Sequence, residues 1–107
     1  MIVTKQQVKN MMSRYIEVRS VDRVGNKQLF VVNTEDNCLL VSYFTVIGVY
    51  DCGWKYTDMK HSVTTAHQLA KFSRMNGGLV IPHKDFADLV IEKFGLSPSD
   101  AEYLTDR

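Results

Sequence analysis

The sequence predicts an α+β fold in a single domain over residues 1–107: an antiparallel sheet of three to five strands, with an N-terminal helix and two to three helices packed on one side. Three observations carry this expectation. Residues 4–16 space their apolar side chains at the helical period, the middle of the chain is dense in β-branched and aromatic residues, and helical spacing returns after residue 62.

The first helix is expected to begin near Thr4, because Val8, Met11, Met12, Tyr15 and Ile16 fall on one face. Thr4 serves as its N-cap and Gln7 stands at the capping-box position. Beyond Ile16 the period changes. Residues from Glu17 to Val24 and from Gln28 to Asn33 then pair as a hairpin across the turn "GNK". "TEDN" is the next turn, since Asp and Asn side chains bond their own backbone.

"CLLVSYFTVIGVYD" is too rich in Val, Ile, Tyr and Phe for a helix, and its length predicts one long central strand, bent near Thr45 or Gly48. "DCG" turns the chain into a short strand, "WKYT", with Trp54 and Tyr56 on one face. Thr64 or Thr65 then caps a helix running to about Met75 and closed by "NGG". "LVIP" is expected as an extended link, Pro82 as the start of a helix burying Phe86, Leu89, Val90 and Phe94, and Ser97 and Pro98 as the start of a last turn or two that frays at "LTDR".

The composition restricts function. With 45% hydrophobic residues and 10% aromatics, 107 residues make one core and leave few large apolar side chains free. No apolar run reaches the roughly 18–20 residues needed to span a bilayer, and "MIVTKQQVKN" lacks the apolar centre of a secretory signal, so a soluble cytoplasmic protein with no membrane partner is expected. Cys38 and Cys52 are too few for a disulfide framework; reduced thiols are expected, with a single bridge left open. A net charge of +1 conceals a strong segregation, +3 over residues 55–83 and −3 over residues 84–107.

Two stripes follow from that segregation. On the helix after "KHSVTT", Ala66, Leu69, Ala70, Phe72 and Ser73 share one arc, and His67, Lys71 and Arg74 the opposite one, with Lys60 and His61 just before them. This is a candidate anion or nucleic-acid face, helped by free N–H groups at the helix start. On the penultimate helix Asp85, Asp88 and Glu92 form an acidic stripe, and Asp100, Glu102 and Asp106 extend the same sign, a candidate face for a basic partner. An ordinary solvated helix face is the plain alternative in both cases.

Catalytic and cofactor chemistry finds no support. His67 has no nucleophile fixed beside it, because Ser62, Thr64 and Thr65 are explained as caps, and neither a GxSxG nor a phosphate-binding GxxxxGK[ST] is present. His61 and His67 lack the HxxxH spacing for a metal, the cysteines form no CxxC pair, and His83 is expected on the surface. Tyr43, Phe44, Tyr50, Trp54 and Tyr56 could stack on unpaired bases from the sheet, but a core this small needs their rings.

From Leu39 to Phe72 the order of "LLVSYFTVIGVYD", a tryptophan and "KHSVTTAHQLAKF" resembles a family of small bacteriophage and mobile-element proteins with an LxSYxTxIA strand followed by a YSxTTxxH helix start. Ser42, Tyr43, Thr45 and Ile47 match in the strand, and Ser62, Thr64, Thr65 and His67 at the helix; Gly48, His61 and Ala66 depart from the pattern. The resemblance implies a phage-type protein in a bacterial cytoplasm, and no activity. The function expected is therefore a non-catalytic binder, with no metal and no cofactor, that inhibits or redirects a host protein or protein–nucleic acid complex, in the manner of an anti-CRISPR or other anti-defence protein. The alternative is a small module that contacts nucleic acid directly through the basic face. Homodimerisation is open.

Overall fold

In a computed structural model that describes residues 2–25 and 27–106, the chain is an α+β protein. Its first helix, α1 (Lys5–Met12), starts where the capping box requires: Gln7 N–H donates to the Thr4 hydroxyl at 3.1 Å, and Thr4 N–H donates to Gln7 Oε1 at 2.8 Å. Val8 and Met12, a turn apart, are fully buried. β1 (Ser20–Arg23) and β2 (Leu29–Asn33) pair antiparallel with Ser20 opposite Asn33. Of the expected turn 25–27, Asn26 lies outside the described residues; Lys27 N–H closes onto the Val24 carbonyl at 3.2 Å.

The long central strand is instead a hairpin. β3 (Cys38–Ser42) and β4 (Thr45–Tyr50) pair antiparallel, with Ser42 opposite Thr45 and only Tyr43 and Phe44 between them. The reversal is possible because Tyr43 takes the left-handed φ of 56°, a conformation that tight hairpin turns need and that glycine or asparagine usually supplies. A bulge follows: Leu40 faces Gly48 and Val41 faces Val46, so Ile47 is the extra residue. At Gly48 a Cβ would meet Leu40 Cβ at 3.0 Å and the Tyr56 ring at 3.1 Å, so any larger residue there must push those side chains aside by a few tenths of an ångström.

β5 (Trp54–Thr57) continues the meander antiparallel to β4. α2 (Val63–Asn76) then carries the chain over the sheet to β6 (Leu79–Ile81), which runs parallel to β5 and forms the edge of the sheet. The expected link "LVIP" is thus a sixth strand, and the sheet is mixed rather than wholly antiparallel. Parallel neighbours need a long crossover, and residues 58–78 provide one. α3 (His83–Phe94) and α4 (Pro98–Thr105) complete the chain. The last helix does not fray before its end, since Leu104 and Thr105 are buried.

The helices occupy both faces of the sheet, not one. Val8 and Met12 of α1, Phe86 and Val90 of α3 and Leu104 of α4 pack with Phe30, Val32, Leu39, Val41, Val46 and Val49. On the other face Phe72 and Leu69 of α2 pack with Leu29, Leu40, Ile47 and Tyr56. Successive strand residues point to opposite faces, so a sheet apolar at almost every position must be covered twice.

The buried arc of α2 also differs from the expected one. Thr65, Gln68 and Phe72 are buried and Leu69 partly so, while Ala66 and Ala70 face solvent. Alanine is a poor marker of the inward side, and Gln68, a long polar residue, takes the place expected for it.

Candidate functional site

α3 exposes its acids because Phe86 and Val90, one turn apart, fix its inner side. Asp85, Asp88 and Glu92 are exposed, and none lies within 4.0 Å of a cation among the described residues. Of the two lysines on this helix, Lys93 reaches aside to Asp51 at 2.8 Å, which holds the Asp51 carboxyl below its usual range and raises the Lys93 ammonium. Glu102 is exposed on the adjoining α4, and Asp100 is partly buried in its first turn. Asp106 bonds His83 and so leaves the acidic set.

The five residues of the basic set separate into two groups. His67, Lys71 and Arg74 lie exposed along the outer crest of α2, on the sheet face opposite α3. No acid occurs between Lys60 and Asn76 to pair with them locally. Lys60 and His61 instead line a cleft of about 220 Å³ at the start of α2.

Both ends of the stretch from Leu39 to Phe72 meet in this cleft. Ser42, Tyr43, Thr45 and Ile47 come from the β3–β4 hairpin, and Ser62 and Thr65 from α2; Thr64 and His67 point to solvent instead. The N-cap of α2 is Ser62, not Thr64 or Thr65: its hydroxyl accepts Thr65 N–H at 3.2 Å and donates to Thr65 Oγ1 at 3.1 Å. Thr65 Oγ1 in turn shares a proton with Ser42 Oγ at 3.0 Å, joining the helix start to the sheet. The cleft offers hydroxyls and a lysine to a small polar ligand. It offers no nucleophile and base in contact, because His61 Nε2 is buried without a hydrogen-bond partner.

His83, expected on the surface, is instead held at a corner of the fold. Its Nδ1 and Thr57 Oγ1 are 2.6 Å apart, and its Nε2 lies 2.9 Å from Asp106 Oδ1. Its backbone N–H donates to Asp58 Oδ1 at 2.8 Å. The order hydroxyl, imidazole, carboxylate is that of a hydrolase triad, but Thr57 is only 1% exposed and its oxygen also accepts Met59 N–H at 3.1 Å. A substrate has no path to it, and the three residues act as a staple between β5, α3 and α4. The sequence offered no sign of this, since the partners are far apart along the chain.

The aromatic residues go largely to packing. Tyr56 is buried, Trp54 stacks on it with ring planes 8° apart, and Phe72 meets both edge-on. Tyr50 is the exception, at 43% exposure. Cys38 and Cys52 are free thiols. Among the described residues no helix is long and apolar enough to cross a membrane. Comparison with protein-family models, curated proteins and solved structures returns no match for this chain.

Proposed function

We propose that the protein acts by binding rather than by turnover, laying the outer face of α3 and α4 on a basic surface of a host complex, as an anti-defence inhibitor in a bacterial cytoplasm would. The observation that carries this reading is the acidic face: Asp85, Asp88, Glu92, Asp100 and Glu102 outnumber Lys84 and Lys93 on these two helices, and Lys93 forms its ion pair with Asp51, so that only its longer-range field reaches Glu92. Charge fixed on a rigid helix steers encounter and rejects wrong partners. The phage-like stretch makes a host macromolecule the expected partner class.

The test is affinity purification from a bacterial lysate with the native chain and with D85K/D88K/E92K. Native protein captures a basic protein or protein–nucleic acid complex and loses it as salt rises, and the variant captures nothing while unfolding at the same denaturant concentration. Undiminished capture by the variant sinks the reading.

A second reading rests on a different observation, the acid-free α2 with His67, Lys71 and Arg74 along its crest and Lys60 at its start. That face suits a phosphate backbone, and its affinity would fall steeply with salt. A mobility shift of DNA or RNA at low ionic strength that K71E/R74E abolishes supports it; no shift by either nucleic acid removes it.

A further inference from the structure

We propose that β6, the free edge of the sheet, pairs with β6 of a second copy of this chain, joining two six-stranded sheets across a two-fold axis at Val80. The backbone shows what the edge lacks. The Ile81 carbonyl accepts Asp58 N–H at 2.9 Å and so faces β5. Main-chain groups alternate sides along a strand, so Leu79 also bonds inward, and Val80 turns both its N–H and its C=O away from the sheet. A donor and an acceptor offered by one residue on an open edge are the seat for an extended strand.

The side chains narrow the choice of strand. Among the described residues seven large hydrophobics are exposed, and three of them, Met75, Leu79 and Val80, fall within six successive positions. Leu79 and Val80 are 67% and 64% exposed although both belong to a strand. They lie on opposite faces, Val80 beside Tyr56 on the α2 face and Leu79 beside Lys55 on the other. A strand that covers this edge must therefore be apolar at successive positions, on both faces.

β6 itself is such a strand. Antiparallel self-pairing centred on Val80 sets Val80 against Val80 of the second copy, where the two residues exchange two main-chain bonds, and sets Leu79 against Ile81 on either side. Residues 77–82 carry no charge, so this register brings no like charges together. Pro82 closes the ladder, because it has no N–H to offer and its carbonyl already accepts Phe86 N–H at 2.9 Å. A longer foreign strand gains nothing beyond that point, which favours a partner as short as β6.

The opposite edge limits the assembly to two copies. β1 exposes Asp22 and Arg23, and Arg19 and Glu35 pair at 3.6 Å beside it. Charges of this kind keep an edge from pairing. β6 against β1 of a next copy, the step that would build a filament, is thus disfavoured, whereas β6 against β6 is not. The axis stands normal to the sheet, so both α2 helices share one face of the joined sheet. The pairing itself depends on neither the acidic nor the basic face.

The test is sedimentation equilibrium of the full chain from about 10 μM to about 1 mM, with amide hydrogen exchange at both ends of the range. Expected is a mass that rises from one chain towards two and no further, with the Val80 amide about tenfold better protected at the higher concentration. V80K, at an exposed position, keeps native near-ultraviolet circular dichroism and stays a single chain; should it misfold, L79K answers by the same readouts. A single chain at every concentration, growth past two, a dimer whose Val80 amide stays unprotected, one that added salt dissociates, or one that survives V80K overturns the pairing. A single chain whose Val80 amide gains protection only in bacterial lysate overturns it too, in favour of a strand from another protein.

Discussion

Tyr56 donates its hydroxyl to the Gly77 carbonyl at 2.6 Å, joining the middle of β5 to the residue that ends α2. The bond ties the crossover back onto the strand it left. It also places a phenol in a setting that opposes ionisation, with burial pushing its pKa up to about 12 from an ordinary 10.0.

The pH consequence is specific. Because the unfolded chain loses this proton first, the stability tied to the neutral phenol is present below 10 and lost as pH rises towards 12. Urea unfolding at pH 8 and at pH 11 measures the loss. Tyr56→Phe costs about 1 kcal/mol at pH 8 through the missing hydrogen bond and flattens the alkaline decline.

Gly78 is expected to be the glycine least tolerant of substitution. A Cβ there would lie 2.6 Å from the Trp54 carbonyl oxygen, and its φ of 120° strains any other residue. Gly78→Ala should destabilise by roughly 1–3 kcal/mol from crowding, before the backbone strain is added. Gly53→Ala, with a φ of 139° but nothing within 4 Å, carries the strain alone and serves as the control. Denaturant midpoints that fall in the reverse order would contradict this.

At the start of α2 the structure separates the roles of Ser62, Thr64 and Thr65. Ser62→Ala removes the cap and should cost about 1 kcal/mol. Thr64→Ala, at an exposed position with no bond to the cap, should cost almost nothing. Thermal melts of the two variants test the assignment directly.

What the sequence revealed and what it concealed have physical causes. The capping box at Thr4 and Gln7 was readable because both partners are local. "SVTT" was not, since Ser62, Thr64 and Thr65 all satisfy the pattern for an N-cap and only the path of the chain chooses Ser62. The β3–β4 reversal was concealed because Tyr43 adopts a left-handed conformation without the glycine or asparagine that normally announces it. β6 is three residues long, too short for alternation to mark it as a strand. Charge spacing placed both stripes on the outer sides of their helices. Their location on opposite faces of the sheet depends on the crossover, which no local pattern encodes, and the same is true of the meeting of Thr57, His83 and Asp106.

The two-faced covering of the sheet changes what the formal charge means. Electrostatic fields in physiological salt die away within about 8 Å, whereas the body measures 30 × 29 × 24 Å. Neither side therefore cancels the other at contact range. An approaching molecule meets the acids of α3 and α4 or the cations of α2 as separate local patches, with Lys5 and Lys9 of α1 on the same side as the acids, and the near-neutral average describes neither patch.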